Sequence, residues 1–315
     1  MGEPGWFPRV CRGEACLALG AVSLFVAAFG FGLVSLAVIA IAAVGFTMQF
    51  GITNVINLAY GEIMITCAYV AYELNVHGVS IWFALLAGAA FGAGFSFLLN
   101  RVVYSPFQRK GTAPLGMVIV AVAVSLMVSN VLLAIVGPDN VSYAQSAGKT
   151  IEIGAVRLTS VQVLIMGIAV VAMLAIHALL TFTRLGKAMR ATAANPTLAR
   201  NCGIPTARVV DVVWLITGAL CGLAGTVAAM NSESFAVSNG SGYLITILAA
   251  AVLGGAGQPY GAMLGAVLIG EVTELSAAVI SPEYKAVVAF AILVLVMVLR
   301  PQGLLSKIGA MAAAG

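Results

Sequence analysis

Asn54-Val-Ile-Asn57-Leu-Ala-Tyr60-Gly61-Glu62 sets two amides, a phenol and a carboxylate between two long apolar runs. No nucleophile and base accompany them, so the chemistry on offer is hydrogen bonding with a polar solute rather than bond breaking. Glu62 is the carboxylate expected within the membrane. A charge at the bilayer centre costs about 2.5–3.5 kcal/mol on insertion scales, so it must be paired, neutral or wet. It fits three roles: fixing helix ends beside a path, meeting an amino group, or capping the helix that starts near Gly61.

A second polar interruption reads Gly254-Gly255-Ala-Gly257-Gln-Pro259. Three glycines and a proline make a poor helix. Residues 244–253 before it are too few to cross a bilayer, so they predict a half-helix that enters, turns at Gly254–Pro259 and returns. Gly257, Gly261 and Gly265 recur every fourth residue and predict a seam against which another helix packs closely. Each interruption ends in a Tyr-Gly pair, Tyr60-Gly61 and Tyr260-Gly261. Paired breaks in two halves of a chain point to a translocation site, since irregular backbone at that depth must be packed in protein or line a wet cavity. Packing alone is the other explanation.

Other chemistry is thin. His77 and His177 lack metal-ligand spacing, so no metal site is expected. Cys67 and Cys221 lie in apolar segments and Cys202 in a basic loop, which does not suit a disulfide framework. Ala147-Gly-Lys-Thr150 imitates the end of a phosphate-binding loop, but Tyr143 stands where that loop needs glycine. No cofactor is expected in this chain, nor any catalytic residue or nucleic-acid partner.

The elements that must position these residues are membrane helices. Of 315 residues, 62% are hydrophobic and 8% charged, against roughly a quarter charged in a soluble domain. The fold class is an all-α, polytopic membrane protein, a single transmembrane domain over 1–315. It has about eight hydrophobic segments, some of them broken or re-entrant half-helices. Charged residues are absent from 15–61, 74–100, 111–138, 158–183, 212–232, 234–270 and 286–299. Two of these windows, 15–61 and 234–270, exceed the roughly 20 residues of one span, and each reads as a helix joined to a partial one.

Arg101, Arg109 and Lys110 form one basic connection; Arg184, Lys187, Arg190, Arg200 and Arg208 form another; Arg300 and Lys307 lie in the tail. By the excess of Lys and Arg in cytoplasmic loops, all three regions including the C-terminus are placed inside. Asp139, Glu152, Glu233, Glu271, Glu274 and Glu283 are placed in the other connections. Three spans over 15–100 put the N-terminus outside, whereas Arg9 and Arg12 argue for inside; an extra partial segment at 15–30 would reconcile them. Residues 137–157 form the long external loop, where Lys149–Leu158 alternates about a glycine as a hairpin does.

Segment 184–208 reads as a short helix pair. Asn195 caps a helix beginning at Pro196, and Gly203 ends it. A compact basic knob of this kind suits anionic lipid or a docking partner, and composition alone does not choose between them.

Five stretches, 51–72, 186–204, 218–227, 253–270 and Arg300-Pro-Gln-Gly-Leu-Leu305, resemble in order and spacing the branched-chain amino acid ABC transporter permeases, closest to their shorter, LivH-like type. The resemblance covers about 31–306. It implies a type II-like importer permease in a bacterial inner or plasma membrane. The implied partners are a second, LivM-like permease subunit, two cytoplasmic ATPases holding ATP and Mg, and an external solute-binding protein. It makes 186–204 the coupling region, with Gly186, Arg190, Ala193, Ala199, Gly203 and Ile204 matching the family pattern. It implies an ATP-driven import of branched-chain or other amino acids, amides, urea or small organic acids. The family pattern commonly has histidine where this chain has Tyr60. An ion-coupled secondary transporter, or a channel or structural subunit, are the alternatives from the residues alone.

Overall fold

The computed structural model describes residues 14–143, 150–153, 156–232, 234–281 and 284–299, with side chains from Phe29 onward except in 150–158. Arg9, Arg12, Arg300, Lys307, Ala147–Lys149, Glu233, Glu283 and the 300–305 motif lie outside the described residues.

The first charge-free window is one continuous helix, α1 (Glu14–Thr53), of 40 residues. No separate segment exists at 15–30; the break comes later, at residues 54–59, before α2 (Tyr60–Val76). Helix α3 (Ile81–Leu99) runs through a π-helical turn, Asn100–Tyr104, into the short α4 (Ser105–Arg109). Pro114 opens α5 (Pro114–Val136) from the first helical turn, where a missing N–H costs nothing. The expected hairpin forms as β1 (Thr150–Ile153) and β2 (Val156–Thr159), antiparallel with Ile153 opposite Val156. Thr159 and Gln162 close a capping box on α6 (Ser160–Phe182).

The knob comes next as α7 (Arg184–Ala194) and α8 (Pro196–Asn201), then α9 (Thr206–Asn231). The second interruption separates α10 (Asn239–Gly254) from α11 (Pro259–Val279), and α12 (Lys285–Leu299) ends the described chain. Among the described residues six helices are long and apolar enough to cross a membrane, and α10 and α12 are shorter apolar helices. The half-helix starts five residues before the expected 244, giving 16 residues or about 24 Å. Its start is set by an anchored approach: Phe235 pairs its backbone with Val141 and its ring with Tyr69, 5.0 Å between centroids.

Helices α1 and α9 are the buried centre, while α3, α5 and α6 face outward over most of their surface. Small residues make this closeness possible. Gly88 and Gly92 of α3 lie against Gly218 and Gly222 of α9, and a Cβ at Gly218 would sit 2.5 Å from that of Ser96. Successive helices alternate in direction, so the 54–59 break, the α4–α5 connection and the knob share one end. That end carries Arg109, Lys110, Arg184, Lys187, Arg190, Arg200 and Arg208, all exposed.

Glu271 and Glu274 are not in a connection as expected. Helix α11 continues nine residues past the charge-free window and carries both. The Glu271 carboxylate lies against Gly32 of α1, and Glu274 accepts from Ser35 of α1 and pairs with Lys285 of α12. Partners on neighbouring helices make the Glu274 carboxylate tolerable there.

Candidate functional site

The 54–59 break is held by side chains. Asn54 takes a positive φ of 53°, a conformation asparagine tolerates better than most residues. The Thr53 hydroxyl accepts from the Val55 N–H at 3.3 Å. Asn57, 1% exposed, uses Oδ1 twice, accepting from the Ala59 N–H at 3.1 Å and the Tyr104 hydroxyl at 3.0 Å. Tyr104 in turn packs on Trp214, 4.9 Å between ring centroids. Asn100 and Tyr104, four residues apart and so on one face of the helix, are both buried in the π-helical turn. Asn100 donates to Asp211 at 2.9 Å.

Tyr60 and Glu62 leave the break in different directions. The Tyr60 hydroxyl reaches into α9 and donates to the Thr217 carbonyl at 3.3 Å, with its ring edge-on to Phe46. The absence of a side chain at Gly45 makes room for that hydroxyl. Glu62 points to the start of α10, where a Cβ on Gly240 would lie 2.6 Å from Oε2. Helix α10 has no side-chain cap of its own, and the positive end of its dipole favours a carboxylate there. This geometry suits the helix-fixing role for Glu62, on α10 rather than on α2. Gly61 completes the approach by packing against the Gly240 carbonyl.

The second break is held by missing side chains. Gly255 and Gly257 have φ of 106° and 91°, which only glycine adopts freely. The Gly255 N–H donates to Val252 and the Gln258 N–H to Gly255, each at 3.1 Å. Gly261 packs against the Gly254 carbonyl and Gly265 against that of Ala250. Gly257 is not part of this helical seam. It lies in the turn ahead of Pro259, and its contact is with Gly51 of α1, 3.3 Å from a Cβ placed on Gly257 to the Gly51 Cα. The two breaks therefore meet: α10 abuts the start of α2 at one end, and its turn abuts the last helical turn of α1 at the other.

Beside the first break, at the basic end, a cavity of about 1030 Å³ is lined by Thr53, Asn54, Gln108, Arg109, Arg200 and Asp211 among others. The knob forms part of its wall. Asn195 caps α8 as expected, its Oδ1 accepting from Thr197 at 3.1 Å and Leu198 at 2.9 Å. Gly203 ends the pair with a φ of 82°. The Arg190 guanidinium donates to the Leu180 carbonyl in the last turn of α6, and Gly186 packs on the same turn.

The chain matches, over residues 28–297, the family model described as the permease component of the branched-chain amino acid transport system. It is 31% identical over 285 residues to the high-affinity branched-chain amino acid transport system permease protein LivH of Escherichia coli K12, covering 85% of this chain and 91% of that one. It is 30% identical to BraD of Pseudomonas aeruginosa over the same shares. The ribose import permease protein RbsC of Escherichia coli K12 is 28% identical, covering 81% and 80%. The chain belongs to the branched-chain amino acid transport permease family.

In this permease the residues named from sequence divide by placement. Asn54 lines the basic-end cavity. Asn57 and Tyr60 are buried behind it, and neither they nor Gly254, Gly255, Gly257 and Pro259 line it. Of the knob residues, Ala193 and Gly203 are exposed, Ile204 is half-buried, and Gly186 and Ala199 are buried and shape the knob from within. Sequence reasoning passed over Leu198, which is 59% exposed on the knob. Its signal was slight: one of two leucines, with Leu185, in a basic connection. Tyr104 and Trp214 were also missed, because their pairing joins residues 110 positions apart and leaves no local pattern.

Proposed function

We propose that this permease subunit forms the membrane path of an ATP-driven importer, carrying branched-chain amino acids or a related small polar solute. Its basic end and C-terminus face the cytoplasm of a bacterial cell, in keeping with the excess of arginine and lysine there. A second, LivM-like permease subunit stands beside it, and two ATPase subunits, which hold ATP and Mg, dock below. An external binding protein delivers the solute. The path runs past the joined breaks, with Asn54, Asn57 and Glu62 from one and Gly254, Gly255, Gly257 and Pro259 from the other bordering it.

The observation that carries the proposal is the knob. It is too compact for a passive loop: its second helix is capped at Asn195 and closed at Gly203, and Arg190 and Gly186 tie it to the end of α6. A push on its exposed Leu198 face is therefore transmitted to a membrane helix. An exposed leucine among exposed alanines and prolines on a basic knob also suits a protein interface better than a lipid headgroup surface.

Leu198→Glu tests this in the reconstituted complex. The expected result is loss of ATPase co-purification and a fall in ATP-driven uptake of about tenfold or more, as for an interface anchor worth at least 2 kcal/mol. Membrane insertion should be normal. Uptake that persists without ATP, or a variant that retains both the ATPases and full uptake, overturns the proposal. Arg190→Glu is the less clean test, because it also removes the bond to α6.

A further inference from the structure

A second cavity, of about 230 Å³, lies away from the basic end between α1, α9, α10, α11 and α12. It is smaller than the roughly 300–1,000 Å³ of drug-sized sites, so it suits one small solute. Its wall is amphipathic. Ser35, Glu274, Lys285 and Tyr243 are among its polar lining, and Val38, Ile39 and Ala228 supply apolar surface. The Lys285 ammonium bridges both Glu274 oxygens at 2.7 and 2.8 Å, and the Ser35 hydroxyl donates to Glu274 Oε1 at 2.6 Å. The carboxylate is nearly enclosed, its side chain 13% exposed, while that of Lys285 is 40% exposed.

We propose that the Lys285–Glu274 pair is a receptor for the two charged groups of a zwitterionic α-amino acid. This rests on the importer reading above and narrows its substrate class. The physical reason is charge matching. A zwitterion entering the cavity offers its carboxylate to Lys285 and its ammonium to Glu274, so one internal ion pair is exchanged for two intermolecular ones. No charge is left unpaired at any point of balance. A free acid would satisfy Lys285 and strand the nearly enclosed Glu274, and an unpaired charge in a protein interior is strongly disfavoured; a free amine would satisfy Glu274 but leave Lys285 with water in place of its ion pair. A neutral sugar or urea gives the pair no reason to open. Val38, Ile39 and Ala228 then receive an aliphatic side chain.

The same arrangement explains how such a site releases its cargo. Binding must first separate a pair already made, so the net gain is small and the solute does not become trapped. The resident ion pair works as a competitor tethered to the site.

The test uses the purified permease complex with its ATPases in lipid nanodiscs, without the external binding protein, so that only the membrane site is read. Saturation-transfer NMR at millimolar concentration compares L-leucine with isoamylamine, which lacks the carboxylate, and isocaproate, which lacks the ammonium. Leucine is expected to bind at least about tenfold better than either, the range for one charge-assisted bond lost. Glu274→Gln should abolish the advantage of leucine over isocaproate, and Lys285→Met its advantage over isoamylamine. The exchanged double variant Glu274→Lys with Lys285→Glu retains an ion pair and should still prefer the zwitterion, which guards against misfolding of the single variants.

A purely structural pair would lower all three signals together, and that result overturns the proposal, as does absence of leucine binding to the unaltered complex. Charge-selective binding in a complex that shows no ATP-driven uptake would instead sink the importer reading alone. Normal uptake with unselective binding would sink this inference alone.

Discussion

The two breaks carry the same Tyr-Gly pair and hold their shape by opposite means. At residues 54–59 the backbone is fixed by side chains, with Asn57 accepting from both Ala59 and Tyr104. At residues 255–258 it is fixed by their absence, with glycines at positive φ and backbone pressed on backbone. The tyrosines diverge accordingly: Tyr60 is 1% exposed and bonded into α9, whereas Tyr260 is 45% exposed and meets His177 at 2.9 Å. A shared dipeptide therefore does not imply a shared role. The dipeptide itself decides less than its tertiary neighbours do, and opposite Tyr60 stands Gly45 with room for a phenol.

The sharpest way to break this contrast is to put a side chain where the second break has none. Gly261→Val would drive a branched side chain into the Gly254 backbone, which cannot swing aside as a flexible side chain would. The expected loss exceeds about 3 kcal/mol, the upper range for overpacking. It should appear as failure to recover folded protein from detergent extracts. Recovery and melting temperature equal to the parent would show that the α10–α11 contact is looser than described.

Removing a side chain where the first break depends on one should cost less. Asn57→Leu leaves the buried Tyr104 hydroxyl and the Ala59 N–H without their acceptor, at about 1–3 kcal/mol for each buried group stranded. Adding Tyr104→Phe to Asn57→Leu removes one of the two stranded donors and should recover part of the loss in a thermal unfolding series. If the two variants melt alike, the acceptor role of Asn57 is wrong.

The smallest effects concern the tyrosines. Tyr60→Phe removes a long, 3.3 Å bond and should destabilise by about 1 kcal/mol. Tyr260→Phe, at an exposed position, should fall within about 0.5 kcal/mol of the parent. Equal shifts in the two unfolding curves would erase the distinction between the breaks.

How much of this was legible in the sequence depends on the range of the forces involved. Asn195, Pro196 and Gly203 announced the knob because capping acts within one helical turn. The glycines and Pro259 announced the second break for the same reason, though the seam assigned to Gly257 belongs half to the turn. The charge-free windows found the membrane class, yet they misplaced Glu271 and Glu274 by assuming that a charge ends a span. Only distant residues show why it does not: Ser35 and Lys285 partner Glu274, and Gly32 leaves room for Glu271. The joining of the two breaks through Gly51 and Gly257, the Tyr104–Trp214 pair and the bond from Arg190 to α6 likewise depend on tertiary neighbours.

The union of α1 with α11 has a consequence in time. Ser35 and Glu274 are 239 positions apart, so at about 5–20 residues per second of synthesis the first helix waits roughly ten to fifty seconds for its mate. Through that interval the part of α1 that carries Gly32 and Ser35 has nothing from α11 to cover it. The re-entrant turn is also made late, and until α11 follows, Gly254 lacks the Gly261 backbone it packs on. The permease must therefore be held half-built in the membrane, and its assembly is timed by its last third rather than by its first.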